Sequence, residues 1–506
     1  MSTNNDNSII IIGAGFAGLA TGIYAQMNGY KTQIFEMHDK PGGLCTSWKR
    51  KGYTIDACIH WLVGSSPESN MHDFWEEVGV AQGREFINMD EYMHIESPEG
   101  RTLTFYTDVN RLEKSLLEFS PADKEPISEF INGIRICFAF DQPSKHAPAL
   151  KRLVKRVKVI FGFIKNGKKI QQWMKMTSSD FAARFKNPLL RKALEEIWIP
   201  EFSMFFMLFT FAYLHNKNAG YPIGGSMPMS MAMEKRYKDL GGSISYNKRV
   251  DKIITENNSA TGILLSDGTE HRSNIIISAA DGYNTIFNML DGKYTDEKIR
   301  NAYNKWLLFP SLIFIGLGVN RKFDDVPCSV SGFSFPLKRP VQIADKMRER
   351  LSVHLYSHDE SMAPEGRTAL TVMLETDYEY WKKLSETRKV YEEKKDEIAS
   401  IVIDLLDQRF PGISSQVEMI DVATPMTFER FTGNWKGSFE GWLITPENSN
   451  VIMKPMSQAL PGLSNFYMCG QWVEPGGGLP TGVMSGRRLI KSLCREDRKK
   501  FRTTKS

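Results

Sequence analysis

The chain has 506 residues and a formal net charge of +5, with 42% hydrophobic and 24% charged residues. These proportions are typical of a folded globular protein and exclude a disordered chain, a collagen-like repeat and a small disulfide-stabilised domain. The six cysteines form no C-x-x-C pair, which predicts a reducing compartment and no metal site. The N-terminus predicts no signal peptide, and the apolar run at 202–214 is shorter than the roughly 18–20 residues of a membrane span, so we expect a cytoplasmic location.

A glycine motif follows the first apolar run of the chain. Residues 8–12, SIIII, predict a buried strand, and residues 13–18, GAGFAG, fit the pattern G-x-G-x-x-G before a helix-compatible stretch. A second short strand at 32–35 ends at Glu36. Strand, glycine motif, helix, strand and terminal acid together form the dinucleotide-binding fingerprint.

The residues of this motif have separate predicted roles. Gly13 permits the tight turn, and Gly15 lets backbone N–H groups approach a pyrophosphate at the positive end of the helix. Gly18 and Gly22 are expected to allow the helix to pack closely on the strand, and Glu36 is expected to accept hydrogen bonds from a ribose hydroxyl. The cofactor contacts predicted here are Gly13, Gly15, Phe16, Ala17, Gly18 and Glu36.

Three further features favour FAD over NAD as the dinucleotide. Residues 41–44, PGGL, place a second loop of small residues beside the phosphate site, and residues 52–56, GYTID, predict a short strand. Near the C-terminus, FYMCG at 466–470 and PGGG at 475–478 precede a helix-compatible stretch, so a second helix N-terminus can meet the N1/O2 edge of a reduced flavin. The contacts predicted in these loops are Gly42, Gly43, Leu44, Gly470, Gly477 and Gly478.

Together these motifs resemble the phytoene desaturase-like flavoproteins, a group of carotenoid desaturases, carotenoid isomerases and retinol saturases. YPIGG at 221–225 and Val250 are similar to the segment that re-enters the FAD domain in that family. The resemblance implies that Val250 contacts the adenine end through its backbone. It also implies non-covalent FAD, with NAD(P)H or a quinone as the electron partner.

The resemblance implies an α/β fold in two parts. One part is a discontinuous Rossmann-like FAD-binding domain from residues 1–95, 220–300 and 455–506. The other is an α+β substrate-binding domain from residues 96–219 and 301–454, which carries a basic helical insertion at 142–179. Within it, a single helix is predicted over 382–410, because that stretch is periodic and ends at Pro411-Gly412.

The segment 142–179 contains ten Lys or Arg residues and no Asp or Glu. Its apolar residues recur at three- and four-residue spacing after Pro148, which predicts a basic amphipathic helix. The apolar face either docks on a membrane surface or packs on the domain. Nucleic acid is disfavoured because no aromatic platform accompanies the charge. The apolar residues of this face are Leu150, Leu153, Val154, Val157, Ile160, Phe161 and Ile164.

The run at 202–214 is dense in Phe and Met, which predicts either plain core or the wall of an apolar tunnel for a long lipid. The methionines at 227, 229, 231 and 233 are expected to add to that wall. A membrane-docking helix beside such a tunnel suits an apolar lipid or polyene as the partner. The oligomeric state is left open.

Flavin chemistry needs little from the protein beyond substrate position and a proton-transfer group. His60, close to the predicted strand, and Glu474, just before the glycine turn, are the candidates. The sequence therefore predicts an FAD-dependent oxidoreductase that saturates, isomerises or desaturates C=C or CH–CH bonds of a polyene or isoprenoid. The alternatives are a fatty-acid double-bond isomerase, an amine oxidase, or a non-enzymatic prenyl-lipid escort protein.

Overall fold

The computed structural model describes residues 8–197 and 199–504. The strands are, in chain order, β1 (Ser8–Ile12), β2 (Lys31–Phe35), β3 (Ser47–Arg50), β4 (Tyr53–Asp56), β5 (Leu62–Val63), β6 (Phe86–Ile87), β7 (Glu91–Glu96), β8 (Thr102–Tyr106), β9 (Ala219–Pro222), β10 (Ser243–Ser245), β11 (Val250–Glu256), β12 (Ser259–Leu265), β13 (Glu270–Arg272), β14 (Ile275–Ser278), β15 (Ser311–Val319), β16 (Phe333–Ile343), β17 (Lys346–Leu355), β18 (Thr368–Thr376), β19 (Val417–Ala423) and β20 (Phe466–Met468). The α-helices are α1 (Phe16–Met27), α2 (Asn70–Val78), α3 (Val109–Phe119), α4 (Lys124–Cys137), α5 (Ala149–Met174), α6 (Ser178–Ala182), α7 (Pro188–Ile197), α8 (Met204–His215), α9 (Ser226–Asp239), α10 (Glu297–Lys305), α11 (Tyr378–Ser385), α12 (Arg388–Arg409), α13 (Pro425–Thr432) and α14 (Leu479–Glu496).

A five-stranded parallel sheet contains the first strand of the chain at its centre. The strand order is β10-β2-β1-β14-β20, so the sheet draws on the N-terminal, middle and C-terminal parts of the sequence. The isoleucines of β1 are buried on both faces, as expected for a parallel strand covered by helices. This is the Rossmann-like α/β arrangement predicted from the sequence, and it is discontinuous along the chain.

The helices α1 and α14 pack against each other through small residues. A side chain at Gly486 of α14 would approach Thr21 Oγ1 to 2.5 Å. The sequence predicts that Gly22 lets α1 pack on a strand, but Gly22 packs against α9 instead. A Cβ at Gly22 would lie 2.6 Å from the ring of Tyr237 on α9. The close approach of α1 and α14 brings the N-termini of both helices to the same side of the sheet.

A second, seven-stranded sheet has the order β19-β15-β18-β17-β16-β7-β8. Most of its pairs are antiparallel, and β15 is buried along its whole length. The domain boundary predicted after residue 95 falls inside β7, which belongs to this sheet. The helices α11 and α12 cover part of it.

The single helix predicted over 382–410 is wrong, because the structure has two helices there. The helix α11 ends at Ser385 and α12 begins at Arg388. Thr387 between them has an extended backbone, with φ −123° and ψ 101°. The break lets α11 bury Trp381 while α12 buries a separate apolar stripe against the sheet.

The basic segment forms the 26-residue helix α5, with Pro148 at its N-cap as predicted. Its apolar face is not covered by the protein, because the seven apolar residues predicted for that face are between 45% (Val154) and 76% (Ile164) exposed. The C-terminal end is anchored through buried Ile170 and Trp173, and nearer the N-terminus Lys151 and Lys155 bond to the Glu68 carboxylate and the Phe138 carbonyl. Of the helices in 8–197 and 199–504, α5 included, none has the length and apolar character to cross a bilayer.

Candidate active site

One cavity of about 1390 Å³ lies between the two sheets. Of the thirteen cofactor contacts predicted from the sequence, twelve line it, and Gly18 is the exception. Gly18 is instead a packing residue, since a Cβ there would overlap the carbonyl oxygen of Gly13. The cavity therefore gathers residues from both ends and the middle of the chain.

The first glycine turn and the PGGL loop form one cradle. Gly13 has φ +97°, and Gly15 forms a bridge with Gly42. The N–H of Gly42 donates to the carbonyl of Ala14 over 2.9 Å. No side chain caps the N-terminus of α1, and a Cβ on Gly15 would meet nothing closer than 3.9 Å, so the helix presents its N–H groups to open space.

Glu36 lies at the end of β2, where its carboxylate joins this cradle. It accepts hydrogen bonds from the N–H groups of Ala14 (2.6 Å) and His38 (2.9 Å). Burial raises the pKa of Glu36, and these N–H groups oppose the rise. Val250 lines the cavity nearby, at the first residue of β11.

The C-terminal glycine turn borders the same cavity. Gly476, Gly477 and Gly478 all have positive φ and lead into α14, which has no side-chain cap. Gly470 approaches Ala17 of α1, where an added Cβ would lie 3.1 Å from the alanine side chain. Two uncapped helix N-termini therefore face one space, which suits an anionic or electron-rich ligand.

The far side of the cavity is apolar and aromatic. The helix α8 contributes Phe206, Phe209, Thr210 and Tyr213 to the lining, while its other face is core. The run at 202–214 is thus both wall and core. The methionines predicted to extend this wall do not line it: Met229 and Met233 are fully buried in the core around α1 and α9, and Met231 is exposed.

Of the two proton-transfer candidates, His60 lines the cavity and Glu474 does not. The His60 ring stacks on His354 with 4.6 Å between the ring centroids, and burial lowers the pKa of His60 to about 4. His60 is therefore neutral near pH 7. The carboxylate of Glu474 instead accepts a hydrogen bond from Arg488 Nη1 of α14 over 3.0 Å. The N–H of Glu474 donates to the carbonyl of Gly470.

Two acids that the sequence does not predict as site residues also line the cavity, buried Asp281 and half-buried Glu440. Burial raises the pKa of each to about 7. Asp281 uses both oxygens, accepting from the N–H groups of Asn284 (2.6 Å) and Trp435 (2.8 Å), and therefore holds structure. Glu440 Oε1 accepts from the N–H of Gly478 over 3.1 Å. No sequence motif marks either acid, although Asp281 lies three residues after the end of β14.

A cluster of ligand-type side chains lies away from the cavity, on α2 and the segment before α5. Atoms of Asp73, Glu76 and His146 lie within 4.8 Å of one another. Asp73 uses its two oxygens to accept from Ser144 Oγ (2.6 Å) and the N–H of Lys145 (2.8 Å). These contacts anchor the start of the basic segment to α2.

Comparison with known proteins identifies the family of the chain. The chain is 24% identical to the chloroplastic prolycopene isomerase of Daucus carota, over 98% of this chain and 82% of that protein. It is also 24% identical to the neurosporene-forming phytoene desaturase of Rhodobacter capsulatus, over 97% of this chain and 95% of that one. The crystallised cyclohexylamine oxidase of Brevibacterium oxydans shares the fold, with a TM-score of 0.60 and 14% identity over 98% of this chain and all of that one. Residues 16–489 match the sequence profile of the flavin containing amine oxidoreductases, so the chain belongs to that family, as a phytoene desaturase-like member.

Proposed function

We propose that this protein is an FAD-dependent enzyme that acts on C=C or CH–CH bonds of a long apolar polyene or isoprenoid lipid. The observation that carries the proposal is one shared cavity, which has glycine-rich helix N-termini on one side and the aromatic face of α8 on the other. A volume of about 1390 Å³ exceeds the roughly 300–1,000 Å³ of an ordinary ligand pocket. This space suits a dinucleotide and a long lipid side by side.

The described residues fit FAD held without a covalent bond. The uncapped N-terminus of α1 and the open space at Gly15 suit the pyrophosphate, and Glu36 suits a ribose hydroxyl. The backbone at Val250 suits the adenine, and the turn at Gly477 and Gly478 suits the N1/O2 edge. When bound, FAD supplies two-electron chemistry at N5.

The chemistry proposed follows from the relatives that share most of the chain. Prolycopene isomerase and phytoene desaturase both take their names from polyenes, and this chain covers more than four fifths of each. We favour saturation or isomerisation over desaturation. His60, neutral in the cavity wall, is proposed as a proton-transfer residue. The electron partner is proposed to be NAD(P)H or a quinone.

We also propose that α5 docks on an anionic membrane surface. Its uncovered apolar face and its Lys and Arg residues form a basic amphipathic helix. Each Lys or Arg near an anionic leaflet contributes about 1 kcal/mol of attraction. The C-terminal end of α5 adjoins the start of α8, where Ser203 Oγ donates to the carbonyls of Trp173 (3.3 Å) and Met174 (3.2 Å). A lipid would then reach the cavity wall from the membrane.

An anaerobic visible spectrum of the purified protein tests the proposal. We expect a flavin spectrum, and we expect a polyene to reoxidise flavin that was reduced by nicotinamide or dithionite. Product formation while the flavin stays reduced indicates isomerisation, and bleaching by a polyene alone indicates desaturation. Bleaching of the flavin by an amine would favour an amine oxidase, and isomerisation of a fatty acid would favour a fatty-acid double-bond isomerase. A protein that stays colourless after FAD is added would refute the proposal and favour a lipid escort.

A further inference from the structure

Glu440 is a half-buried carboxylate, and no donor in the described part of the chain bonds its second oxygen. The N–H of Gly478 donates to Oε1 over 3.1 Å. Within 8–197 and 199–504, no other donor reaches the carboxylate. Since Glu440 lines the cavity and has one protein hydrogen bond among the described residues, its carboxylate can bond a ligand in that space.

The glycine turn before α14 is shaped around this carboxylate. Gly477 has φ +70°, and a Cβ there would overlap Oε2 of Glu440. Gly476 is similarly confined, because a Cβ there would lie 2.8 Å from Ile444 Cδ1. The acid therefore lies against the turn proposed to face the flavin, rather than in the outer part of the cavity.

The surroundings of Glu440 bring the pKa of its carboxyl group close to neutral pH. Burial raises its pKa to about 7, and the Gly478 N–H opposes that rise. Among the described residues, Cys58 is the titratable side chain that interacts electrostatically with Glu440. The pKa of the Cys58 thiol is raised by the Cys45 thiol, by burial, and by the nearby charges of Asp56 and Glu440. Since no Lys or Arg in the described residues shifts its pKa, Glu440 can both give and take a proton near neutral pH.

We propose that Glu440 is the catalytic acid that exchanges a proton with the substrate double bond. The inference rests on the proposed function. In saturation, the Glu440 proton bonds to one carbon of the C=C group while a hydride from reduced flavin bonds to the other. The π bond breaks, two C–H bonds form, the flavin is oxidised, and the Glu440 carboxylate regains a proton from water. Desaturation is the reverse, and isomerisation returns the proton to Glu440 with no net redox change.

Glu440→Gln tests this role with little change in shape, because the amide oxygen can still accept from Gly478. Glu447→Gln is the matched control, since Glu447 is exposed outside the cavity lining. In the flavin-loaded protein, infrared spectra should show a protonated carboxyl band that titrates near pH 7 in the wild type and in the control. Asp281 contributes to this band as well, because burial also raises its pKa to about 7. The band should therefore lose the intensity of one carboxyl group in Glu440→Gln, while the flavin content of all three proteins is the same.

Stopped-flow measurement of flavin reoxidation by the polyene gives the second readout. Glu440→Gln should slow it by about 10²–10⁴-fold, the usual contribution of a general acid. The wild-type rate should fall as the pH rises through about 7, because the protonated acid is required, and the variant should lose this dependence. If the enzyme is an isomerase, deuterium from D₂O should enter the wild-type polyene and should not enter with the variant.

Different results overturn the inference and the proposed function. Wild-type kinetics and an unchanged carboxyl band in Glu440→Gln would overturn the role of Glu440 and leave the function intact. A wild-type protein without flavin, or with no activity on any polyene, would overturn both. If Glu440→Gln does not fold, Glu440→Asp keeps the acid with a shorter side chain. Glu440→Asp should then be slowed and keep the pH dependence, and a flat pH profile would refute the role.

Discussion

Replacement of Leu150, Phe161 and Ile164 by Ser should separate membrane docking from folding. These side chains are 72%, 70% and 76% exposed, so the folded protein loses little buried apolar surface when they are removed. We expect a change in the free energy of unfolding of no more than about 0.5 kcal/mol per site, as for other exposed positions. The melting temperature and the flavin content should stay close to those of the wild type.

Membrane affinity should change far more than stability. Full burial of such a side chain is worth about 1.5–3 kcal/mol, so the exposed fractions correspond to roughly 1–2 kcal/mol each and about 3–6 kcal/mol for the three. The partition coefficient onto phosphatidylglycerol vesicles should therefore fall by about 10²–10⁴-fold.

Co-sedimentation at low and high salt measures this effect on vesicles with and without the anionic lipid. A matched triple variant of other exposed apolar residues, Met231, Val390 and Ile420 to Ser, should bind like the wild type. Equal binding of the α5 variant and the wild type would refute docking through this face. A large loss of thermal stability would show that the face is covered by protein.

Three further predictions concern the cavity and its support. Gly15→Ala should keep the fold and lose flavin, because its Cβ enters the open space proposed for the pyrophosphate. Gly18→Ala should lower the melting temperature, because its Cβ overlaps the Gly13 carbonyl, and the melting curve and flavin absorbance of each variant separate the two cases. Thr210→Trp should fill the apolar side of the cavity and lower polyene turnover while the flavin spectrum is unchanged, and normal turnover would contradict the assignment of this wall. Asp56 accepts hydrogen bonds from two backbone N–H groups and from the N–H and hydroxyl of Ser226. Asp56→Ala should therefore reduce the free energy of unfolding by about 3 kcal/mol or more in a urea titration, and a loss below about 1 kcal/mol would contradict this role.

The sequence predicts the cofactor side of the fold well, because that side is built from local motifs. The strand at 8–12 and the turns at 13–18 and 41–44 each have a local signature, and the structure brings them together. Glu440 has no such signature. Its contact with Gly478 joins residues 38 positions apart, and tertiary folding alone creates it. Glu474 is adjacent to the glycine turn in sequence, but its carboxylate bonds to Arg488 and does not line the cavity.

Periodicity has a similar limit, which α5 and α9 illustrate. The spacing of apolar residues predicts the helix α5 but not whether a neighbour covers its face. In the structure, the face of α5 is uncovered, while Met229 and Met233 of α9 are buried in the core. The composition of this segment predicts a lipid-facing wall, whereas the structure packs Met229 and Met233 in the interior.

The position of α5 relative to α8 links the two proposals for this protein. A long polyene is insoluble in water, so an enzyme that takes it from a bilayer needs a path that stays apolar from the membrane to the reacting carbon. Here the uncovered apolar face of α5 leads to Ile170 and Trp173, which pack in one apolar cluster with α8, and α8 lines the cavity. If docking and catalysis are coupled in this way, the α5 variant should lose activity on polyene presented in vesicles but keep it on polyene in detergent. Loss in both would show that α5 supports the cavity itself, and loss in neither would show that the lipid arrives by another route.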